Sequence, residues 1–327
     1  MAPMRAVVIK KYGPLENIAL EEVAKPETAD NEVLVAVHAS SITFSDLALI
    51  TGKPFIVRLF GMGLSAPKYR IPGSDIAGRV EEVGREVRKF KPGDEVYGDI
   101  SDIKRGGFAD FVSVPETAIA IKPANQTFEE AAAVPEAAHV ALQAIRDYAK
   151  VKPGEEILVI GACGGIGSFA VQFAKYYQAD VTGLCSAGNF KLAHSLGAAQ
   201  VIDYTREDFS RMGRRFDAII ACVGDYSIYD YRRALKPRGR LVLTGGSVKQ
   251  FSQCAMLGPI LSKKDGRKFQ TMLVKTNVDL DFIRHLIEDG QVRSLIDRSY
   301  QLSEIEAAFR YYMGGHSRGK VIISIKP

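Results

Sequence analysis

Short apolar runs dominate the first third of the chain, and helical spacing enters only near residue 124. Residues 6–9 and 32–39 read as strands. Pro72-Gly73 and Pro92-Gly93-Asp94 punctuate the following stretch as turns. Residues 77–84 read as a glycine-kinked strand, 94–98 as its neighbour, and 106–112 as a return to the sheet. Many short strands at close spacing predict a barrel-like all-β unit. Residues 51–70 break this rhythm, mixing bulky apolar residues with Lys53, Arg58, Lys68 and Arg70. That segment reads either as a short helix or flap over a cleft, or as a surface excursion packing on its own domain.

From residue 124 the period changes. Thr127 is placed to cap a helix with Glu129 and Glu130 in its first turn. An alanine-rich helical stretch runs to Tyr148, interrupted at Pro135. Strand candidates follow at 157–160, 181–184, 200–203, 217–223, 240–244 and 269–274, with helices predicted over 226–235 and 279–289. Strands alternating with helices imply a six-stranded doubly wound parallel sheet. A last helix (303–313) and strand (320–325) do not continue the series, and are expected to return to the first domain.

The densest chemistry lies in residues 155–186. A strand of Ile157, Leu158, Val159 and Ile160 runs into Gly161-Ala162-Cys163-Gly164-Gly165-Ile166-Gly167. A helix follows, with Phe169, Ala170, Phe173, Ala174 and Tyr177 on one face. Glycine permits a tight turn off the strand, and its missing Cβ lets a pyrophosphate approach the backbone. The helix start then offers free N–H groups and its positive dipole end to that anion. The dinucleotide fingerprint is matched at its second and third glycines by Gly164 and Gly167, with Ala162 at the first position. Ala162, Gly164, Gly165, Ile166 and Gly167 are therefore candidate cofactor contacts. Past the second strand, where an acid would accept from the ribose 2′-hydroxyl of NAD, the chain reads Cys185-Ser186-Ala187-Gly188-Asn189. With no carboxylate to repel a 2′-phosphate, Ser186 and Lys191 are placed to bind one, and NADPH is expected over NADH. The plain alternative for Lys191 is a solvated lysine in the first turns of a helix.

Composition adds limits. The 327 residues suffice for two domains with sizeable cores. A net charge of +5, with basic residues scattered among acids, gives no footprint for nucleic acid. The four cysteines show no metal-ligand or redox spacing and read as small buried residues of a reducing compartment. No secretory leader and no membrane-spanning run is seen, so a soluble, cytosolic protein is expected.

The whole-chain plan, a nucleotide domain (about 125–291) inserted between a β domain (1–124) and its C-terminal return (292–327), resembles the medium-chain dehydrogenases/reductases. Pro72-Gly73-Ser74-Asp75-Ile76-Ala77-Gly78, Phe90-Lys91-Pro92-Gly93-Asp94-Glu95-Val96, Gly107-Phe108-Ala109, Leu196-Gly197-Ala198 and Asp203-Tyr204 are similar to its quinone oxidoreductase-like branch, as is the glycine loop. The resemblance implies an α/β fold: a Rossmann doubly wound parallel sheet inserted into a mainly-β, GroES-like, partly open barrel. It implies further NADPH contacts at Tyr204, Val223, Gly224, Gly245 and Gly246, with Arg318 and Lys320 in a basic C-terminal motif. Plain surface charge is the alternative for those last two. It allows a homodimer.

Zinc-holding members of the family use an early cysteine and a Gly-His-Glu histidine. Thr43 and Ser74 stand at those positions here, and the first domain has no cysteine for a structural zinc loop. Neutral hydroxyls are poor zinc ligands, so no metal is expected. A simple carbonyl needs its developing alkoxide stabilised, as zinc does, whereas a quinone or α,β-unsaturated carbonyl spreads the incoming charge onto a conjugated oxygen. The resemblance thus implies NADPH-dependent hydride transfer to a small-molecule quinone or enone. An acyl-thioester enone, another carbonyl substrate, or a low-turnover NADPH-binding scaffold or sensor remains an alternative. Thr43 and Asp46 are the first candidates beside the nicotinamide. Glu136 and His139, three apart on a helix, are a second candidate as a proton-donating pair; a structural pair is the plain reading.

Overall fold

The computed structural model describes residues 3–326; Met1 and Ala2, part of the N-terminal run read above as lacking a leader, lie outside them. The chain divides into two compact units. One comprises the residues up to His139, Lys275–Gly290 and the chain from Ser294 on; the other comprises Val140–Val274 and Gln291–Arg293.

In the first unit β1 (Pro3–Ile9) and β2 (Ile18–Ala24) form an antiparallel ribbon. The larger sheet starts with β3 (Glu32–Ser41), which leads into α1 (Phe44–Thr51). It continues with β4 (Asp75–Val83), β5 (Glu95–Asp99), β6 (Phe111–Pro115) and β7 (Ala120–Ile121). β3 is the hub because Val33, Val35, Val37 and Ala39 are all fully buried, as β-branched and small residues of a covered strand should be. Two short helices follow. α2 (Phe128–Ala132) begins at the predicted Thr127 cap, whose hydroxyl accepts from the Glu130 N–H while the Glu130 carboxylate accepts from the Thr127 N–H. α3 (Pro135–Gln143) begins at Pro135, where the missing N–H costs nothing.

The second unit is a six-stranded sheet of β8 (Glu156–Ile160), β9 (Asp180–Cys185), β10 (Gln200–Asp203), β11 (Phe216–Ala221), β12 (Leu235–Leu243) and β13 (Lys268–Thr271). The spatial order is β10-β9-β8-β11-β12-β13, and every pairing is parallel. The helices α4 (Gly165–Tyr176), α5 (Phe190–Leu196), α6 (Ile228–Ala234) and α7 (Val248–Asp265) are threaded between the strands. Thus all six strands anticipated from the apolar runs are present. The last is shorter than the expected 269–274, because the chain leaves the sheet after Thr271. α7, the longest helix among the described residues, is not apparent in the apolar pattern. Its middle, residues 254–261, is an unbroken non-polar run holding Gly258-Pro259, but Ser247 caps it through Gln250 and Gly266 closes it in the left-handed region.

The chain then returns to the first unit with α8 (Leu280–Glu288), β14 (Ile296–Gln301), α9 (Ile305–Met313) and β15 (Lys320–Ser324). The larger sheet has the order β14-β15-β3-β4-β5-β7, with β6 also paired to β3. The register of β15 on β3 sets Ile322 opposite Ser41 and Ser324 opposite Ala39. The predicted C-terminal return is therefore a strand of the first unit's sheet. The 51–70 segment contains a π-helical turn, Arg58–Met62. It is tied to its own unit: Arg58 donates to the Gly52 carbonyl at 2.9 Å and stacks on Tyr12, 4.4 Å from the ring centre.

Candidate functional site

The predicted nucleotide contacts collect at the carboxyl edge of the parallel sheet. Gly161 follows β8 at φ 78°, a left-handed conformation that side chains avoid, and a Cβ there would lie 2.5 Å from a Val223 methyl. A Cβ on Gly167 would lie 2.0 Å from the Gly161 carbonyl oxygen, so only glycine lets α4 start this close to the strand. α4 begins at Gly164 with no side-chain cap. Its first-turn N–H groups and dipole are left to whatever anion approaches. α1, α2, α6 and α7, by contrast, all begin with a capping side chain.

Ala162, Gly164, Gly165, Ile166 and Gly167 make this loop and helix start. Val223 and Gly224 follow β11, the strand next to β8, and Gly245 and Gly246 follow β12, the strand beyond. A Cβ on Gly245 would lie 2.2 Å from the Cys222 carbonyl oxygen, another position closed to larger residues. Ser186 follows β9 on the other side of β8, and its hydroxyl accepts from the Asn189 amide at 3.2 Å. Lys191 is exposed on α5, and Tyr204 is half exposed just after β10. The sequence-predicted residues of the second unit therefore share one edge of one sheet. Arg318 and Lys320 belong to the first unit. Arg318 is exposed, whereas Lys320 is buried and its ammonium reaches Asp75 at 3.1 Å and Glu136 at 3.3 Å. Lys320 is thus not a free surface cation; two carboxylates hold it.

The first unit contains a buried polar cluster built from β3, α1, β4, β5 and α3. Its centre is Asp46, fully buried, in the first turn of α1. Oδ2 of Asp46 accepts from the Thr43 hydroxyl at 2.8 Å and the Thr43 N–H at 3.1 Å, closing a capping box on α1. Oδ1 accepts from the Ser74 hydroxyl at 2.8 Å, the Gly73 N–H at 3.0 Å and Nη1 of Arg105 at 3.2 Å. The same Nη1 reaches Ser74 Oγ at 2.9 Å and Ser45 Oγ at 3.2 Å. Arg105 is 6 % exposed and sits at φ 59°, and its Nε is buried with no partner. The two sequence candidates Thr43 and Asp46 are thus directly bonded to each other.

A second group adjoins on β4 and α3. Asp75, fully buried, accepts from the Ser41 hydroxyl at 2.7 Å, from Lys320 and from the Glu136 N–H at 2.9 Å. Burial raises the Glu136 carboxyl above its ordinary range, and Lys320 opposes that shift. The attraction of Asp75 and Glu136 outweighs burial for Lys320 and holds its ammonium above its ordinary value. His139, 1 % exposed, lies 3.5 Å from Asp99 on β5, not on Glu136. Burial lowers its imidazole to about 4 and raises the Asp99 carboxyl well above its usual value. Glu136 thus pairs with Lys320 rather than with His139, whose two ring nitrogens are buried without a hydrogen-bond partner. The reason is local: the α3 start turns Glu136 toward Lys320 and Asp75, while His139 points at β5. A neutral imidazole is also poorly suited to donating a proton near neutral pH.

Sequence reasoning named Thr43, Asp46, Glu136, His139 and Lys320 but gave no role to Ser45, Asp75, Asp99 or Arg105. Asp75 stood inside the quoted run from Pro72 to Gly78. The signal for Arg105 was its place directly before Gly106-Gly107; Gly106 takes φ 116°, and a Cβ on Gly107 would lie 2.9 Å from Ser40 Oγ.

Comparison with known proteins matches residues 29–124 to the alcohol dehydrogenase GroES-like domain and residues 196–323 to the zinc-binding dehydrogenase family. The chain is 32% identical over 336 residues to the chloroplast envelope quinone oxidoreductase homolog of Arabidopsis thaliana, covering 98% of each. It is 29% identical to the chloroplastic NADPH-dependent alkenal/one oxidoreductase of the same plant, covering 98% of this chain and 79% of that protein. The solved quinone oxidoreductase from Coxiella burnetii superposes with a TM-score of 0.87 at 28% identity, over 99% of this chain and 100% of that one. Among the described residues no helix is long and apolar enough to cross a membrane.

Proposed function

The chain belongs to the medium-chain dehydrogenase/reductase superfamily, in its quinone oxidoreductase-like branch, and we propose that it reduces quinones or α,β-unsaturated carbonyls with NADPH and without zinc. The observation that carries the zinc-free reading is the donor set around Asp46. Thr43 and Ser74, at the positions where zinc-holding relatives place ligands, are neutral hydroxyls, and both already donate to Asp46. Arg105 adds a positive charge within 3.2 Å of the same carboxylate. A zinc ion would meet a cation and no thiolate or imidazole, so these residues do not fit one.

The glycine loop fits a dinucleotide. Gly161 and Gly167 make a cradle that any Cβ would fill, at an uncapped helix start that suits a pyrophosphate. Ser186 and Lys191 follow the second strand with no carboxylate among residues 185–191, which supports a 2′-phosphate and hence NADPH. The roles of Tyr204, Val223, Gly224, Gly245 and Gly246 as further contacts rest on their sharing that sheet edge. The domain expected over residues 125–291 is wider than the compact unit that carries the glycine loop, because residues 125–139 and 275–290 cluster with the first unit; we assign NADP(H) binding to Val140–Val274 and the substrate side to the first unit.

A bound nicotinamide would supply two electrons and a hydrogen to the conjugated carbon of the acceptor, with water the source of the proton that completes the product. The chain binds, orients and excludes solvent, and a conjugated acceptor needs hydrogen-bond donors rather than a Lewis acid at that oxygen. The relatives named for quinones and for alkenals or alkenones support this acceptor class. The test is NADPH and NADH oxidation, followed by nicotinamide absorbance, against quinones, enones and simple aldehydes with and without a zinc chelator. Chelator-insensitive turnover of NADPH with a conjugated acceptor is expected. Tight NADPH binding without turnover favours the scaffold reading instead.

A further inference from the structure

We propose that Arg105 is the fixed cation of this site, standing in the place that zinc takes in metal-holding relatives, and that it primes the Ser45 hydroxyl as the hydrogen-bond donor to the acceptor's oxygen. The proposal rests on the reductase reading above and assigns it a charge and a donor.

Asp46 carries two oxygens, and each takes one hydroxyl proton: Thr43 donates to Oδ2 at 2.8 Å and Ser74 donates to Oδ1 at 2.8 Å. Both of those hydroxyls are spent. Ser45 has one proton and three oxygen or nitrogen neighbours in the cluster: Thr43 Oγ1 at 2.8 Å, Ser74 Oγ at 3.2 Å and Arg105 Nη1 at 3.2 Å. Arg105 only donates, and the two N–H groups of its Nη1 are shared among Ser74, Asp46 and Ser45, so Ser45 accepts a shared proton from it and keeps its own for a neutral hydroxyl oxygen. Such an oxygen is a weaker acceptor than one gaining negative charge. As charge builds on a bound enone or quinone oxygen, the Ser45 proton has a better place to point. Thr43 and Ser74 are buried, while Ser45 is part-exposed, so it is the hydroxyl of the three that an incoming molecule can reach.

Arg105 supplies what a metal would: a positive charge that does not move. Its guanidinium is always protonated. It is buried against a single carboxylate, and its Nε is buried without a partner. An unpaired buried donor is costly, and the left-handed backbone at Arg105 adds to that cost. Arg105 neutralises the buried Asp46 at the start of α1, and accepting from the same cation makes the Ser45 hydroxyl a stronger donor. Ser45 is the catalytic residue of this pair, and Arg105 a positioning residue that acts through it.

A double-substitution cycle tests the pair. Arg105→Met, Ser45→Ala and the double variant are assayed with NADPH against trans-2-hexenal and 1,4-benzoquinone. NADPH affinity is titrated by fluorescence, and zinc is measured by elemental analysis after dialysis against zinc and then buffer. Each single change is expected to lower kcat about 100-fold, the usual loss for one donor to a developing oxyanion. The double variant should lose no more than either single one, with NADPH affinity within about twofold and Arg105→Lys recovering part of kcat. Losses that multiply, or wild-type kcat in Arg105→Met, would overturn the proposal. Should Arg105→Met fail to fold, Arg105→Lys with and without Ser45→Ala carries the same cycle. A wild-type protein inert to both acceptors sinks the reductase reading, not the cation; zinc then decides. Its exclusion from the wild-type chain supports Arg105 in the metal's place, and one zinc retained per chain overturns it.

Discussion

Two helix starts in this protein solve the same problem in opposite ways. Both α1 and α4 follow a strand closely and leave N–H groups facing outward. α1 fills that end from within: Thr43 and Asp46 cap it reciprocally, and Ser74, Gly73 and Arg105 saturate the remaining carboxylate oxygen. α4 leaves its end empty: Gly164 has no side chain to cap with, and Gly161 and Gly167 hold the backbone open. The chain closes one such end with its own carboxylate and leaves the other without a side-chain cap. A filled start should cost stability when disturbed. An empty start should cost ligand binding.

Asp46→Ala should produce the largest change. It strands the Arg105 guanidinium and frees two hydroxyls in a buried site, which costs about 3–5 kcal/mol; denaturant unfolding reads it. A loss under about 1 kcal/mol would mean that the cluster does not hold α1 in place.

His139 should dominate the acid side of stability. Its folded value near 4 lies below the ordinary 6.5, so the unfolded chain binds more protons between those two pH values. The stability it contributes is present above about pH 6.5 and is lost as pH falls toward 4, by about 3 kcal/mol at the limit. Asp99, raised by burial, has the opposite sign: its contribution is present at low pH and is lost as pH rises through its folded value. Thermal midpoints measured from pH 7 to 4 should therefore fall less steeply in His139→Gln than in the wild type. Parallel curves would contradict a buried neutral imidazole.

Gly167→Ala sharpens the other half of the comparison. A Cβ 2.0 Å from the Gly161 carbonyl forces α4 to shift, at about 2 kcal/mol of stability. NADPH affinity, read by fluorescence titration, should fall far more than that stability loss alone accounts for. The smallest change should come from Lys191→Ala. Losing one charge-assisted bond to a 2′-phosphate should raise the NADPH KM roughly 10–100-fold and leave NADH nearly unchanged. Equal effects on both cofactors would remove Lys191 from the site.

The open start was legible in the sequence, and the filled one was not. Glycines at 161, 164 and 167 between an apolar strand and an amphipathic helix are local signals, and the parallel sheet follows from the same apolar runs. The buried cluster is assembled from residues at positions 43–46, 74–75, 99, 105, 136–139 and 320, brought together by sheet register rather than by spacing. Two residues of α3 looked like partners because they lie three apart. Glu136 instead meets Lys320 of β15, while His139 is buried beside Asp99 with neither ring nitrogen hydrogen-bonded. α7 escaped for a different reason: its middle is an unbroken run of non-polar residues, 254–261, containing Gly258-Pro259 and flanked by polar ends, so it has little periodicity to read, and its cap and closing glycine become informative only once its ends are known.

The measurement that bears most directly on the account is NADPH oxidation by the wild-type chain with a conjugated enone or quinone, with zinc chelated and with zinc added. The account predicts turnover with NADPH that is unchanged by either treatment and much weaker with a simple aldehyde. Activity confined to simple aldehydes and abolished by the chelator would contradict it.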